Sequence, residues 1–112
     1  MNIGVISMRY ARALLAFAKA KGTEDKVYDE TKRLARVSVT VPQLRHTIDN
    51  PVLSMDAKHK LLCDAVGVEN VSEELKRFFR LVLEEKREKF LQFMIWSYID
   101  LYREDKHILI GK

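Results

Sequence analysis

The histidines and the cysteine are the first side chains to consider for chemistry. His46, His59 and His107 lie in separate predicted segments, and no two of them have the four-residue spacing of a helical metal site. Cys63 stands in the apolar stretch 61–66 with no evident histidine partner, which is typical of a small core residue. We therefore predict no metal site and no reactive thiol.

Other kinds of active site are not indicated either. The four glycines occur singly, so no glycine-rich loop is available to cradle a phosphate. No serine stands in a recognisable nucleophile motif. The carboxylates lie at predicted helix starts or three and four residues from Lys and Arg. Weak ion pairs at the surface explain their positions without a catalytic role. The sequence predicts no catalytic residue, no metal and no cofactor.

The composition is typical of one compact helical domain. The 112 residues are 47% hydrophobic and 32% charged, with only four glycines and two prolines. A net charge of +4 could attract nucleic acid, but acidic and basic residues alternate, as in 84–89, which favours a solvated mixed-charge surface. No stretch approaches the roughly 20 apolar residues of a membrane span, and the first residues do not resemble a secretory signal. We expect an intracellular protein without direct membrane insertion.

One predicted helix, over 8–20, has two apolar faces instead of one. When the residues are placed on a helical wheel at about 100° per residue, Arg and Lys side chains occupy the sector that these two faces leave. The first face consists of Tyr10, Ala13, Leu14 and Phe17, and the second of Met8, Ala11, Leu15 and Ala18. Such a helix either lies inside a bundle or offers its second face to a partner.

Start and end signals divide the chain into six helices. They begin near Ser7, Thr23, Pro42, Ser54, Ser72 and Arg87. Gly22 and Gly67 follow the first and fourth helices, where a left-handed residue is common. The β-branched run 37–41 favours a strand locally but is predicted to stay in the second helix.

The last two helices should supply much of the core. The fifth has an apolar stripe of Leu75, Phe78, Phe79 and Val82, with Leu81 lying off it. The sixth is the longest and most apolar, and Trp96 and Ile99 widen its apolar arc, so we expect it to be central. The apolar residues 107–112 resemble the beginning of a further segment.

Three segments carry a resemblance to a known family. They are Arg9-Tyr10-Ala11-Arg12-Ala13-Leu14-Leu15-Ala16-Phe17-Ala18; Asn50-Pro51-Val52-Leu53-Ser54 with Lys58 and Leu61-Leu62; and Phe79, Leu83, Arg87, Phe90-Leu91, Tyr98 and Leu101-Tyr102-Arg103-Glu104. In order and spacing they resemble the N-terminal domain of the delta subunit (oligomycin-sensitivity-conferring protein) family of F-type ATP synthases. The resemblance spans nearly the whole chain.

The resemblance implies an all-α six-helix bundle over 1–106, with 107–112 beginning a linker to a C-terminal domain that this chain lacks. It implies a non-catalytic subunit of the peripheral stalk, or stator, at the cytoplasmic face of the bacterial inner membrane. In the family, a groove between the first and fifth helices binds the N-terminal helix of one alpha subunit. In the family, it is the C-terminal domain that contacts the b subunits. The isolated domain is expected to be a monomer.

We place the groove on the first face of the first helix and on the fifth helix. Its predicted residues are Tyr10, Ala13, Leu14, Phe17, Phe78, Leu81 and Glu85. Small Ala13 would let a partner helix approach closely, and Glu85 could meet a basic group at the rim. The second face of the first helix could form the groove instead, and Leu14 and Phe17 could be ordinary core.

Two other functions fit the same size, helicity and charge. One is a basic RNA-binding bundle of the antitermination-factor type, for which salt-dependent binding of short RNA is the expected sign. The other is a generic adaptor that binds a different amphipathic helix.

Overall fold

The computed structural model describes residues 3–106, and these form a bundle of six α-helices. The helices are α1 (Ile3–Lys21), α2 (Glu24–Thr40), α3 (Gln43–Ile48), α4 (Met55–Val66), α5 (Glu73–Glu84) and α6 (Leu91–Asp105). A single 3₁₀ turn, Glu88–Phe90, precedes α6, and the described residues contain no β-strand. The predicted all-α, six-helix fold is confirmed. The predicted linker at 107–112, which includes His107, lies outside the described residues.

Two of the predicted helix starts and two predicted ends have the expected local geometry. The Ser54 hydroxyl accepts a hydrogen bond from Ala57 N at 3.1 Å, and the Ser72 hydroxyl accepts one from Leu75 N at 3.3 Å. Each bond satisfies one of the backbone donors that a helix start leaves free. Gly22 follows α1 and Gly67 follows α4, both in the left-handed conformation, with φ of 70° and 77°.

Two predicted helix starts and one predicted cap need correction. The first helix begins at Ile3 rather than near Ser7. Thr23 precedes α2 but makes no capping bond, because its hydroxyl contacts Ala18 O and Glu74 instead. The sixth α-helix begins at Leu91 rather than Arg87, since Lys86 adopts a left-handed φ of 57° that turns the chain before the 3₁₀ turn.

The β-branched run is helical through Thr40, as predicted. Within this run, Val37 packs against the core, while Val39, on the outer side of α2, is exposed. The Thr40 hydroxyl donates to Arg36 O at 3.0 Å, a bond that suits threonine in a helix. Packing of α2 therefore outweighs the local preference of these residues for a strand.

The core centres on α6, which packs most extensively on α1 and α2. Met94 and Tyr98 of α6 and Phe79 of α5 are fully buried. Ile99 also belongs to the core, but Trp96 does not, because its side chain is 44% exposed on the outer face of α6. The predicted central position of α6 is confirmed, and the expected contribution of Trp96 to the core is wrong.

A polar seam joins the start of α2 to the end of α6. The buried hydroxyl of Tyr98 donates to Glu24 O at 2.9 Å, and the hydroxyl of Tyr102 donates to the Asp25 carboxylate. Tyr102 also stacks on Tyr28, with ring centroids 3.9 Å apart. These bonds satisfy the polar ends of side chains whose rings fill the core.

Deprotonation of Tyr102 is expected to destabilise the bundle at alkaline pH. Burial and the hydrogen bond to Asp25 raise the pKa of Tyr102 from 10.0 to about 12. Because the folded state then binds the phenol proton more tightly than the unfolded state, its stabilising contribution is complete below pH 10 and is lost towards pH 12. We expect the urea midpoint to fall over this range, and to fall less steeply in Tyr102→Phe.

Circular dichroism during urea titrations at several alkaline pH values measures these slopes. Tyr10→Phe is the control, because Tyr10 lies on α1 away from the seam, and this variant should keep the wild-type slope. Identical slopes for the wild type and Tyr102→Phe would contradict the assignment.

Candidate helix-binding groove

The first helix buries a stripe that takes residues from both predicted apolar faces. Ser7, Ala11, Leu14 and Ala18 face the core, and each is at most 2% exposed. The small side chains of Ala11 and Ala18 leave room for close packing, so the centre of the stripe lies near them. The second face therefore lies mainly on the core, since Leu15 also packs against it, and of the first face only Leu14 is fully buried.

The other side of the stripe faces a groove between α1 and α5. Two concavities meet there and share Ala13 and Leu81. The first, of about 330 Å³, is lined by Ala13, Leu14, Phe17, Glu74, Arg77, Phe78 and Leu81. The second, of about 440 Å³, is lined by Ile6, Arg9, Tyr10, Ala13, Leu81, Glu85 and Arg87. We call the two concavities together the α1–α5 groove.

All seven residues predicted from the sequence line this groove. Leu14 and Phe78 are buried and form its floor. Ala13, Leu81 and Glu85 are exposed on its walls, and Tyr10 and Phe17 are half-buried. What these residues bind stays a prediction.

Sequence reasoning missed five residues of the groove. They are Ile6, Arg9, Glu74, Arg77 and Arg87. Helical spacing could have found four of them, because positions three, four and seven residues from Tyr10, Ala13 and Leu81 share a face. Arg87 lies beyond α5, and its place at the groove depends on the turn at Lys86, which gave no sequence signal.

The shape and chemistry of the groove suit an apolar helix face. From Ile6 to Phe17 the α1 wall rises roughly 16 Å, or about three helical turns. The floor is apolar, and the charged groups lie at the rim. An amphipathic helix could place anchors there at spacings of three, four and seven residues.

Two buried carboxylates hold the start of α5 in place. Glu30, only 1% exposed, accepts hydrogen bonds from Ser72 N at 2.8 Å and from the Ser72 hydroxyl at 2.6 Å. Glu74 accepts a hydrogen bond from the Thr23 hydroxyl at 2.7 Å, which joins the α1–α2 turn to α5. The position of α5 against α1, and hence the groove, is fixed at this end by charge-assisted hydrogen bonds.

Outside the groove, His59 and Cys63 form a contact that the sequence analysis missed. His59 Nε2 lies 2.9 Å from Lys76 O, so this nitrogen carries the hydrogen and Nδ1 can accept from the thiol at 3.9 Å. The expectation that Cys63 has no histidine partner is wrong, and the four-residue spacing on α4 was the available signal. Burial raises the pKa of the Cys63 thiol, which opposes formation of a nucleophilic thiolate.

The described part of the chain contains no group of three or more His, Cys, Asp and Glu side chains arranged to hold a metal ion. Among the same residues, no helix has the length and apolar character needed to cross a bilayer.

Comparison with protein families identifies the type of bundle. The family model described as ATP synthase delta (OSCP) subunit matches residues 6–112. The chain belongs to this family. The predicted resemblance is confirmed, and it covers the entire α1–α5 groove.

Individual relatives agree with the family match. ATP synthase subunit delta of Phocaeicola vulgatus is 64% identical over the whole chain, which covers 60% of that relative. ATP synthase subunit delta of Bacteroides fragilis is 49% identical, with 61% of its length covered. ATP synthase subunit delta of Parabacteroides distasonis is 48% identical over 96% of this chain and 59% of its own length. The chain thus spans about three fifths of the length of these family members.

Proposed function

We propose that the chain is part of the peripheral stalk of an F-type ATP synthase and that its α1–α5 groove binds the N-terminal helix of one alpha subunit. Membership of the delta (OSCP) family supports the assignment to the stalk. The observation that carries the binding proposal is the groove itself, a three-turn channel with an apolar floor between α1 and α5.

The proposed role is mechanical. The bundle holds the catalytic head stationary while the rotor turns, without a cofactor or a catalytic step of its own. It lies peripherally at the cytoplasmic face of the bacterial inner membrane. The b subunits contact a part of the delta subunit that lies outside this bundle. A stator contact has to resist torque, which favours a helix buried along its length over a few surface ion pairs.

Burial of apolar surface supplies the driving force for this contact. Each square ångström of apolar area removed from water contributes on the order of 25 cal/mol, and losses of translational and side-chain freedom offset much of it. Leu81 is important here because 44% of its surface is still exposed in the free domain and is available for burial. Glu85, exposed on the same wall, is placed to meet a basic group of the partner.

A synthetic peptide of the alpha subunit's N-terminal segment, from the same organism, tests the proposal. Calorimetry is expected to give a dissociation constant of tens of micromolar or tighter. Backbone amide shifts should change in α1 and α5. Leu81→Ala is expected to weaken binding about fivefold, because roughly 1 kcal/mol of burial is lost. Val39→Ala, on the outer side of α2, should have no effect.

Absence of heat and of amide shifts in α1 and α5 would overturn the proposal. Binding of short RNA that weakens steeply with salt would favour the RNA-binding alternative. Capture of a different amphipathic segment, with no binding of the alpha peptide, would favour a generic adaptor.

A further inference from the structure

The α1–α5 groove has an excess of positive charge at its rim. Three arginines line it, Arg9, Arg77 and Arg87, against the two carboxylates of Glu74 and Glu85. Glu74 is buried and accepts a hydrogen bond from the Thr23 hydroxyl, so it is less accessible to a partner than exposed Glu85. The exposed charge that faces a partner is therefore predominantly basic.

Arg77 has a special position among the three arginines. It projects from α5, and its guanidinium lies 6.0 Å from the ring centroid of Phe17 on α1. This distance lies at the outer limit of a cation–π contact, and it places the exposed charge beside the groove. Within residues 3–106, Arg77 forms no ion pair with a carboxylate.

An unpaired guanidinium beside an apolar groove favours an acidic partner. Arginine presents several N–H donors in one plane, which matches the two oxygens of a carboxylate. The groove floor beside Arg77 is apolar, so a carboxylate of the partner has to lie at the flank of its apolar face.

We infer that Arg77 determines the specificity of the groove by selecting an amphipathic helix that carries a carboxylate on the flank facing it. This inference rests on the proposed function, since it concerns the occupant of the same groove. A helix of equal apolar surface with a neutral or basic group at that position should bind more weakly.

Three variants of Arg77 and one control separate charge from packing. Arg77→Met keeps an unbranched side chain over Phe17 without the charge, Arg77→Lys keeps the charge, and Arg77→Glu reverses it. Arg80→Glu is the matched control, because Arg80 lies on the same helix outside the groove and only 3.9 Å from exposed Asp56. Calorimetry with the alpha-subunit peptide gives each affinity, and thermal melts verify that every variant is folded.

With the alpha peptide, we expect Arg77→Glu to bind about tenfold more weakly, Arg77→Met about threefold and Arg77→Lys about twofold, because lysine keeps the charge but loses the planar pair of donors. Arg80→Glu should keep the wild-type affinity. The affinity of the wild type should fall with added salt more steeply than that of Arg77→Met. Peptides with single acidic residues changed to lysine complete the test. One of them should bind Arg77→Glu more tightly than it binds the wild type.

The results separate failure of the inference from failure of the proposed function. If the wild type binds the peptide while Arg77→Glu behaves like Arg80→Glu and no lysine peptide restores binding, the specificity inference is wrong and the groove proposal stands. If the wild type does not bind the peptide, the proposed function fails and the inference fails with it.

Discussion

Replacing Glu30 with alanine is expected to lower the free energy of unfolding by about 3 kcal/mol. The carboxylate is almost fully buried and accepts two short hydrogen bonds from Ser72, at the first turn of α5. Alanine leaves the Ser72 N–H and hydroxyl buried without this acceptor. It also removes a negative charge from a helix N-terminus, where the helix dipole favours one.

Urea unfolding followed by circular dichroism measures this loss. Glu30→Gln should lose about half as much, because the amide oxygen can still accept one of the two hydrogen bonds. Glu69→Ala, at an exposed position, is the control and should change stability by no more than about 0.5 kcal/mol. A Glu30→Ala variant as stable as the Glu69→Ala control would show that the carboxylate is not a fixed part of the fold.

Replacing Ala13 with tryptophan is expected to weaken binding of the alpha-subunit peptide at least about 30-fold, equivalent to roughly 2 kcal/mol. Ala13 belongs to both concavities, so a large side chain there obstructs the groove where they meet. Because Ala13 is exposed in the free domain, the indole can lie over the groove without disturbing the core.

Ala16→Trp provides the matched control for this experiment. Ala16 is exposed on the same helix but lines neither concavity, so the same substitution there should leave the affinity within about twofold of the wild type. Calorimetry with the two variants compares obstruction of the groove with a general effect of an added tryptophan. Equal affinity of the Ala13 and Ala16 variants would exclude the groove as the peptide site.

The sequence predicted the helices well because their boundaries depend on local chemistry. The helix ends at Ser54, Ser72 and Gly67 depend on hydrogen bonds and backbone angles within a few residues. They can therefore be predicted from the sequence alone. Thr23 was misjudged because its hydroxyl bonds to Glu74, which is far along the chain. Trp96 was misjudged because helical periodicity places it only near the apolar arc, and packing of α6 decides the exact edge.

The groove was predicted in outline for a similar reason. Apolar residues outside a core stripe, such as Leu81, can be recognised from helical spacing alone. Spacing could also have placed Arg77 on the groove, but its contact with Phe17 could not be predicted, because that contact depends on how α5 packs against α1. Likewise, the burial of Glu30 follows from where α5 begins relative to α2, which the sequence of either helix does not reveal.

The packing of α1 against α6 has a consequence for biosynthesis. α1 is synthesised before the other five helices of the bundle, but its most extensive contacts are with α6, the last of them. The first helix of the bundle therefore lacks its main packing partner until α6 has been synthesised and has emerged, so the domain cannot close progressively from its N-terminus. During that interval the apolar surface of α1 is exposed to chaperones and to neighbouring nascent chains.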